Sequence, residues 1–244
     1  MKVFTALLFG EKMKHYKIAD YNVLLNCGRI TMHNAEKYLC DDEAKIDFEI
    51  VTDINAAKKR YPSCEKDVAV YLWDGYRFCL ELLKRGDMRL HSSAVVVDNK
   101  AYLFSAPCGT GKSTHTGKWL ELFGDKAYIL NDDKPALRII NGVVYAYGTP
   151  WSGKNDISVN KRVEVAGICF LNRSQVDTIK RITPSDSIEL MLSGGLKRLN
   201  YDNVIRQLEI TEKIAKIVPI YSMGCTPTIA AAEMAYNEMS EKKV

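Results

Sequence analysis

The sequence predicts an α/β fold in which a small β-rich lobe precedes a larger unit of alternating strands and helices. Two observations carry this. Short strand-like runs broken by turn residues fill the first third, and beyond it apolar strands alternate with helical periodicities around a glycine-rich loop. The 244 residues suffice for one large or two small domains. We place the lobe and a linking helix at residues 1–86 and the second unit at 87–244.

In the lobe, Val3–Phe9, Tyr16–Asn26 and Phe48–Val51 read as strands, separated by Asn26-Cys27-Gly28 and Cys40-Asp41-Asp42-Glu43. Val3–Phe9 follows a single lysine and lacks a cleavage signature, so it reads as a strand and not as a leader. From Asp67 to Lys84 the apolar residues Val68, Leu72, Tyr76, Cys79, Leu80 and Leu83 recur at helical steps, and Gly86 ends the helix.

Ala94–Val97 and Ala101–Phe104 flank Asp98-Asn99, and Leu137–Ile140 and Val143–Tyr147 flank Asn141-Gly142, so two hairpins are expected. Ser113–Phe123 reads as a helix stopped by Gly124, and Ala127–Leu130 and Val165–Leu171 read as strands. Thr183-Pro184 and Thr226-Pro227 each look like a helix start, with threonine as cap and proline in the first turn. A further helix is expected from Asp202 to Ile217.

Composition sets limits without naming a function. Apolar residues are 47% and charged residues 26%, and the net charge of +4 has no basic run behind it. Neither a nucleic-acid nor a membrane partner is expected. No apolar stretch has the length of a membrane span. Seven cysteines without a C-x-x-C pair point to reduced thiols and a cytoplasmic location.

Chemistry enters at Ala106-Pro107-Cys108-Gly109-Thr110-Gly111-Lys112-Ser113-Thr114, which matches [AG]-x-x-x-x-G-K-[ST] between a strand and a helix. Gly109 and Gly111 let backbone N–H groups turn inward toward phosphate oxygens at a helix N-terminus. Lys112 is expected on the β- and γ-phosphates and Ser113 on the metal. The cofactors expected are ATP with Mg²⁺ or Mn²⁺, and the lack of an Asn-Lys-x-Asp string speaks against GTP. Downstream, Asn131-Asp132-Asp133 ends a strand, where one carboxylate can complete a metal shell and the other accept a proton. Cys108 lies in the loop near a helix N-terminus, where a thiolate is favoured. His115 is expected on the helix surface, Arg173 on a solvated face, and Lys154 in a loop.

His91-Ser92-Ser93-Ala94, a hairpin, the glycine loop and the Asp-Asp strand form a series that resembles the phosphoenolpyruvate carboxykinase and HPr kinase/phosphorylase superfamily. The likeness covers roughly residues 88–240 and is most specific from 91 to 135. Gly111–Thr116, Asn131–Pro135 and Tyr147–Lys154 resemble strings that recur together in small bacterial HPr-kinase-like proteins, some linked to modification of ribosomal peptides. The resemblance implies a P-loop kinase domain with a mixed sheet. It also implies catalytic roles for Asp132, His91 and Lys112, and metal contacts from Ser113, Asp133 and His91. By the same likeness the first aspartate, Asp132, is the base and Asp133 holds the metal.

Two departures stand out: there is no counterpart of the arginine motif that binds the carboxylate of phosphoenolpyruvate, and no copy of the HPr kinase signature. The expected activity is therefore transfer of the γ-phosphoryl of ATP to a hydroxyl of a small molecule or of a peptide or protein Ser/Thr. A carboxykinase-like enzyme and a non-catalytic nucleotide-gated binding protein stand as alternatives. A homo-oligomer is compatible with the sequence.

Overall fold

A computed structural model of the chain describes residues 14–40 and 45–240. The expected strand Val3–Phe9 and most of the 40–43 turn lie outside those residues. The chain divides into two compact units, one up to Glu81 and one from Leu82 onward.

In the first unit β1 (Lys14–Ile18) and β2 (Tyr21–Asn26) form an antiparallel hairpin, and β3 (Phe48–Val51) adds in parallel to β2. The hairpin turns on Ala19 and Asp20, both at positive φ, within the run that reads as one strand in sequence. Two short helices, α1 (Arg29–Ala35) and α2 (Ile54–Arg60), accompany the sheet, so the lobe is less purely β than its sequence suggests. Helix α3 (Lys66–Lys84) carries the expected apolar stripe and stops before Gly86, which sits at φ 80°. Buried Asp74 on this helix accepts bonds from Gly28 N, Thr31 Oγ1 and Thr52 Oγ1 at 3.1, 2.8 and 2.6 Å. It knots α3 to the segments around α1 and β3.

The second unit is a mixed α/β sheet. Its strands are β4 (Met88–Arg89), β5 (Ser92–Val97), β6 (Lys100–Ser105), β7 (Ala127–Asn131), β8 (Ala136–Ile140), β9 (Val143–Tyr147), β10 (Arg162–Arg173), β11 (Thr178–Ile182) and β12 (Ile220–Cys225). The order β4-β8-β9-β10-β6-β5-β7 is extended by β12, which pairs with the far half of β10, and by β11 beyond it. β10 runs parallel to β6 and β12 and antiparallel to β9.

β4 and β5 are nearly continuous in the chain, yet β4 pairs with β8 while β5 pairs with β6 and β7. The sheet therefore curls back on itself around residues 88–97. His91 stands at the break between the two strands.

Helices α4 (Lys112–Phe123) and α7 (Ile229–Ser240) contribute Trp119, Ala231, Ala232, Ala235 and Met239 to a core built on Tyr102, Phe104, Leu171 and Met223. Trp119 lies 4.9 Å from the Tyr102 ring and 5.3 Å from the Phe104 ring, a dense aromatic contact that anchors the helix after the glycine loop. Helix α5 (Pro184–Gly194) is capped by Thr183 as expected, its Oγ1 accepting from Asp186 N at 3.1 Å. Helix α6 (Tyr201–Ile217) is capped by Asn200. At α7 the expectation is corrected: Thr226 donates to Asp177, and Thr228 Oγ1 takes the cap bond from Ala231 N.

Candidate active site

The loop between β6 and α4 has Gly109 at φ 76° and Gly111 at φ 119°, backbone states that cost a side chain strain. These bends aim the loop at the N-terminus of α4, where free N–H groups and the helix dipole favour an anion. Lys112 opens that helix and folds back, donating from Nζ to Ala106 O at 2.9 Å and Pro107 O at 3.5 Å. Burial lowers its pKa, an effect opposed by the charges of Asp133, Cys108 and Asp132.

Asp132 meets the loop directly. Ser113 Oγ donates to Asp132 Oδ2 at 3.0 Å, and Ser93 Oγ donates to Asp132 Oδ1 at 2.6 Å. Ser93 is fully buried on β5 and also shares a 3.0 Å bond with Thr116 Oγ1 on α4. Asp132 is thus gripped by hydroxyls from the loop and from the curled strand.

Asp133 faces a different set of partners. Its Oδ1 lies 3.2 Å from His91 Nε2, and its Oδ2 is paired with the Lys134 ammonium. Burial alone would raise the Asp133 pKa, but the bond from His91 and the Lys134 charge outweigh it and hold the carboxyl well below the usual range.

The backbone explains why the two aspartates part. Buried Asn131 Oδ1 accepts from the N–H groups of Asp133 and Lys134, and Asn131 Nδ2 donates to Thr149 O, which fixes a tight turn at the strand end. His91 is held in turn by bonds from its N–H to Gly194 O at 2.8 Å and from Ser105 Oγ to its carbonyl at 2.9 Å.

Among the described residues, two cavities flank the loop. One of about 570 Å³ runs along Gly109, Thr110, Gly111, Thr114 and His115 and is completed by residues at and just beyond the ends of β10 and β12, including Arg173, Gln175 and Thr226. The other, of about 290 Å³, lies at Ala106 and Pro107 and includes His91.

His115 is buried in the wall of the first cavity and not on the helix surface, because Phe104 and Trp119 pack around it. Its Nε2 accepts from Trp119 Nε1 at 3.3 Å, which places the proton of the neutral ring on Nδ1. Burial pushes its pKa down to about 4, so the ring is neutral near pH 7. Arg173 is exposed, as expected, and its guanidinium also donates to the carbonyls of Gly109 and Thr110.

No family model matches the chain, and no curated protein matches it. Among solved structures it is similar to the HPr(Ser) kinase/phosphatase from Coxiella burnetii, at 13% identity and a TM-score of 0.37, over 63% of this chain and 99% of that one. The likeness is one of structure only. The mixed α/β architecture stands on the strand pairing described above.

His91, Asp132, Asp133, Lys112 and Ser113, singled out in the sequence, converge on one end of the sheet. Cys108 is exposed on the same loop as a free thiol. Lys154 is exposed in a loop whose Gly153 packs against Asp133. Ser93, Thr116 and Lys134 complete the cluster and receive no role from the sequence. Ser93 and Lys134 do fall within the His-Ser-Ser-Ala and Asn-Asp-Asp-Lys-Pro strings, which is the signal that marks them. Among the described residues no group of three or more His, Cys, Asp or Glu is placed to hold a metal, and no helix is long and apolar enough to cross a membrane.

Proposed function

We propose that the chain is an ATP-dependent phosphotransferase that moves the γ-phosphoryl group to a hydroxyl. The observation that supports this reading above others is the link from loop to acidic strand end, the bond from Ser113 Oγ to Asp132 Oδ2. A bare glycine turn has no need of a carboxylate bonded to its last serine.

In this reading the loop N–H groups and the N-terminus of α4 hold the phosphates, and Lys112 places a charge at the β- and γ-phosphates. The nucleoside occupies the larger cavity, on the Gly109–His115 side. Ser113 and Asp132 offer hard oxygen donors, which suit Mg²⁺ better than a softer metal. When bound, Mg²⁺ neutralises charge on the phosphate oxygens. The His91–Asp133 pair receives the proton of the attacking hydroxyl, the Asp133 carboxylate fixing the ring and Lys134 fixing that carboxylate.

This exchanges the division of labour implied by the resemblance. Asp132 is the carboxylate bonded to the metal serine, whereas Asp133 is bonded to the histidine.

Lys112→Ala is the direct test. Its expected outcome is loss of ATP binding by calorimetry together with loss of ATP consumption, since the ammonium faces most of the ligand charge. Unchanged affinity and rate in that variant would remove the assignment.

A further inference from the structure

The smaller cavity narrows the identity of the acceptor. Lys112 Nζ reaches Ala106 O and Pro107 O, and these two residues line this cavity and not the larger one. In such loops the lysine marks the β,γ end of the nucleotide. The cavity of about 290 Å³ therefore adjoins the transferable phosphoryl group. His91, which touches Asp133, lines it as well.

The walls have a definite chemistry. Phe170 and Leu190 supply apolar surface, Ser105 and Ser193 supply neutral hydroxyls, and among the described residues that line the cavity none is Lys, Arg, Asp or Glu. Ser193 and Gly194 belong to the last turn of α5 and Leu190 directly precedes it, at the end of a helix that carries partial negative charge. An acceptor carboxylate placed here would lose hydration and face the negative end of a dipole, while the Lys112 ammonium behind Ala106 and Pro107 is committed to the phosphates in this reading. An ammonium would find no carboxylate in the wall, and Asp133 is already engaged by His91 and Lys134.

We infer that this cavity is the acceptor subsite and that it takes a small uncharged hydroxyl compound, either a free neutral alcohol or a serine-like group blocked at both ends. The inference rests on the phosphotransferase reading above and names its substrate class. In the step, the acceptor O–H gives its proton to the His91–Asp133 pair and its oxygen forms a new bond to the γ-phosphorus. The bond from that phosphorus to the β,γ-bridging oxygen breaks, and ADP leaves with the electron pair.

The test measures ADP release and phosphoester formation with ATP and Mg²⁺. The probes are glycerol and N-acetylserinamide as neutral acceptors, glycerate and free serine as carboxylated ones, and ethanolamine as a cation. At least one neutral compound is expected to exceed every charged one by at least ten-fold in kcat/KM, and the better of the two distinguishes a free alcohol from a peptide-like source. Ser193→Arg, which brings a cation into the wall at an exposed position, is expected to lower the neutral-to-glycerate ratio at least ten-fold. Leu190→Trp is a second variant, expected to raise KM for the neutral acceptor more than KM for ATP.

Preference for glycerate, serine or ethanolamine in the parent protein overturns the inference, and so does an unmoved ratio in Ser193→Arg together with an unchanged acceptor KM in Leu190→Trp. Calorimetry on the parent separates the two levels of failure. If ATP binds but no alcohol is phosphorylated, the acceptor assignment falls and the nucleotide site stands; if ATP does not bind, both fall.

Discussion

Asp74 in the first unit and Asp133 in the second are both withdrawn from water, and their surroundings push them in opposite directions. Asp74 is fully buried and answered by neutral donors alone, the N–H of Gly28 and the hydroxyls of Thr31 and Thr52. Burial prevails over these bonds and raises its pKa to about 6. Asp133 keeps partial exposure and is answered by the Lys134 ammonium and the His91 ring, which prevail over burial and keep it ionised. Dipoles can satisfy a carboxylate without securing its charge, whereas a cation secures it. The first arrangement makes a structural knot, and the second keeps an anion ready beside a cavity.

The largest expected effects fall on catalysis. Asp133→Asn should lower turnover by about 10²–10⁴-fold, the range typical of lost proton transfer, with no rescue by added metal. Asp132→Asn should also slow the reaction but recover in part at high Mg²⁺, because it weakens the oxygen set shared with Ser113. Rate against Mg²⁺ concentration for both variants decides the matter, and metal rescue of Asp133→Asn instead would restore the division of roles that the family resemblance implies.

Asp74 should show the reverse profile, a loss of stability without a direct effect on chemistry. Asp74→Ala strands three buried donors and is expected to cost about 4 kcal/mol in denaturant unfolding. Asp74→Asn should cost far less. Its oxygen can keep the Gly28 and Thr31 bonds while its amide donates to the Thr52 hydroxyl oxygen, so two of the three native bonds survive and the third is reversed. An equal loss in the two variants would show that the charge itself, and not the pattern of donors, holds the knot.

Smaller effects of opposite sign are expected with pH. The folded pKa of Asp74, about 6, lies above the 3.8 of an unperturbed aspartate, so the native state binds more protons in that window. Its contribution is fully present below pH 3.8 and falls by about 3 kcal/mol as pH rises through 6. His115 behaves in the contrary way. Its folded pKa of about 4 lies below 6.5, so its contribution is present above pH 6.5 and is lost, again by about 3 kcal/mol, as pH falls toward 4. Urea unfolding between pH 4 and 7 for the parent, Asp74→Asn and His115→Gln isolates each slope. Difference curves of the same sign would sink this account.

Much was legible in the sequence where a signal is local. The periodicity of α3, the Asp98-Asn99 and Asn141-Gly142 turns, the Thr183 cap and the glycine loop each depend on residues within a few positions of one another, and each forms where the sequence predicts it. Local signals failed where the local chemistry is ambiguous. Ala19-Asp20 turns the first hairpin without glycine or asparagine, α1 and α2 span only seven residues each, and Thr226 and Thr228 are equally good caps until Asp177 claims one of them.

The residue types of the site were present in the sequence as well: lysine and serine after the glycines, two aspartates at a strand end, a histidine upstream. What the sequence could not decide was their pairing. Ser93 reaches Asp132 and His91 reaches Asp133 only because the sheet curls so that residues 88–97 serve two strands' worth of partners, and Asn131 locks the turn that sends the two carboxylates apart. Those contacts join positions 39 and 42 residues apart in the chain, as 132 − 93 and 133 − 91 show. Local propensity carries no information about contacts of that range, and only the closed sheet brings them within hydrogen-bond distance.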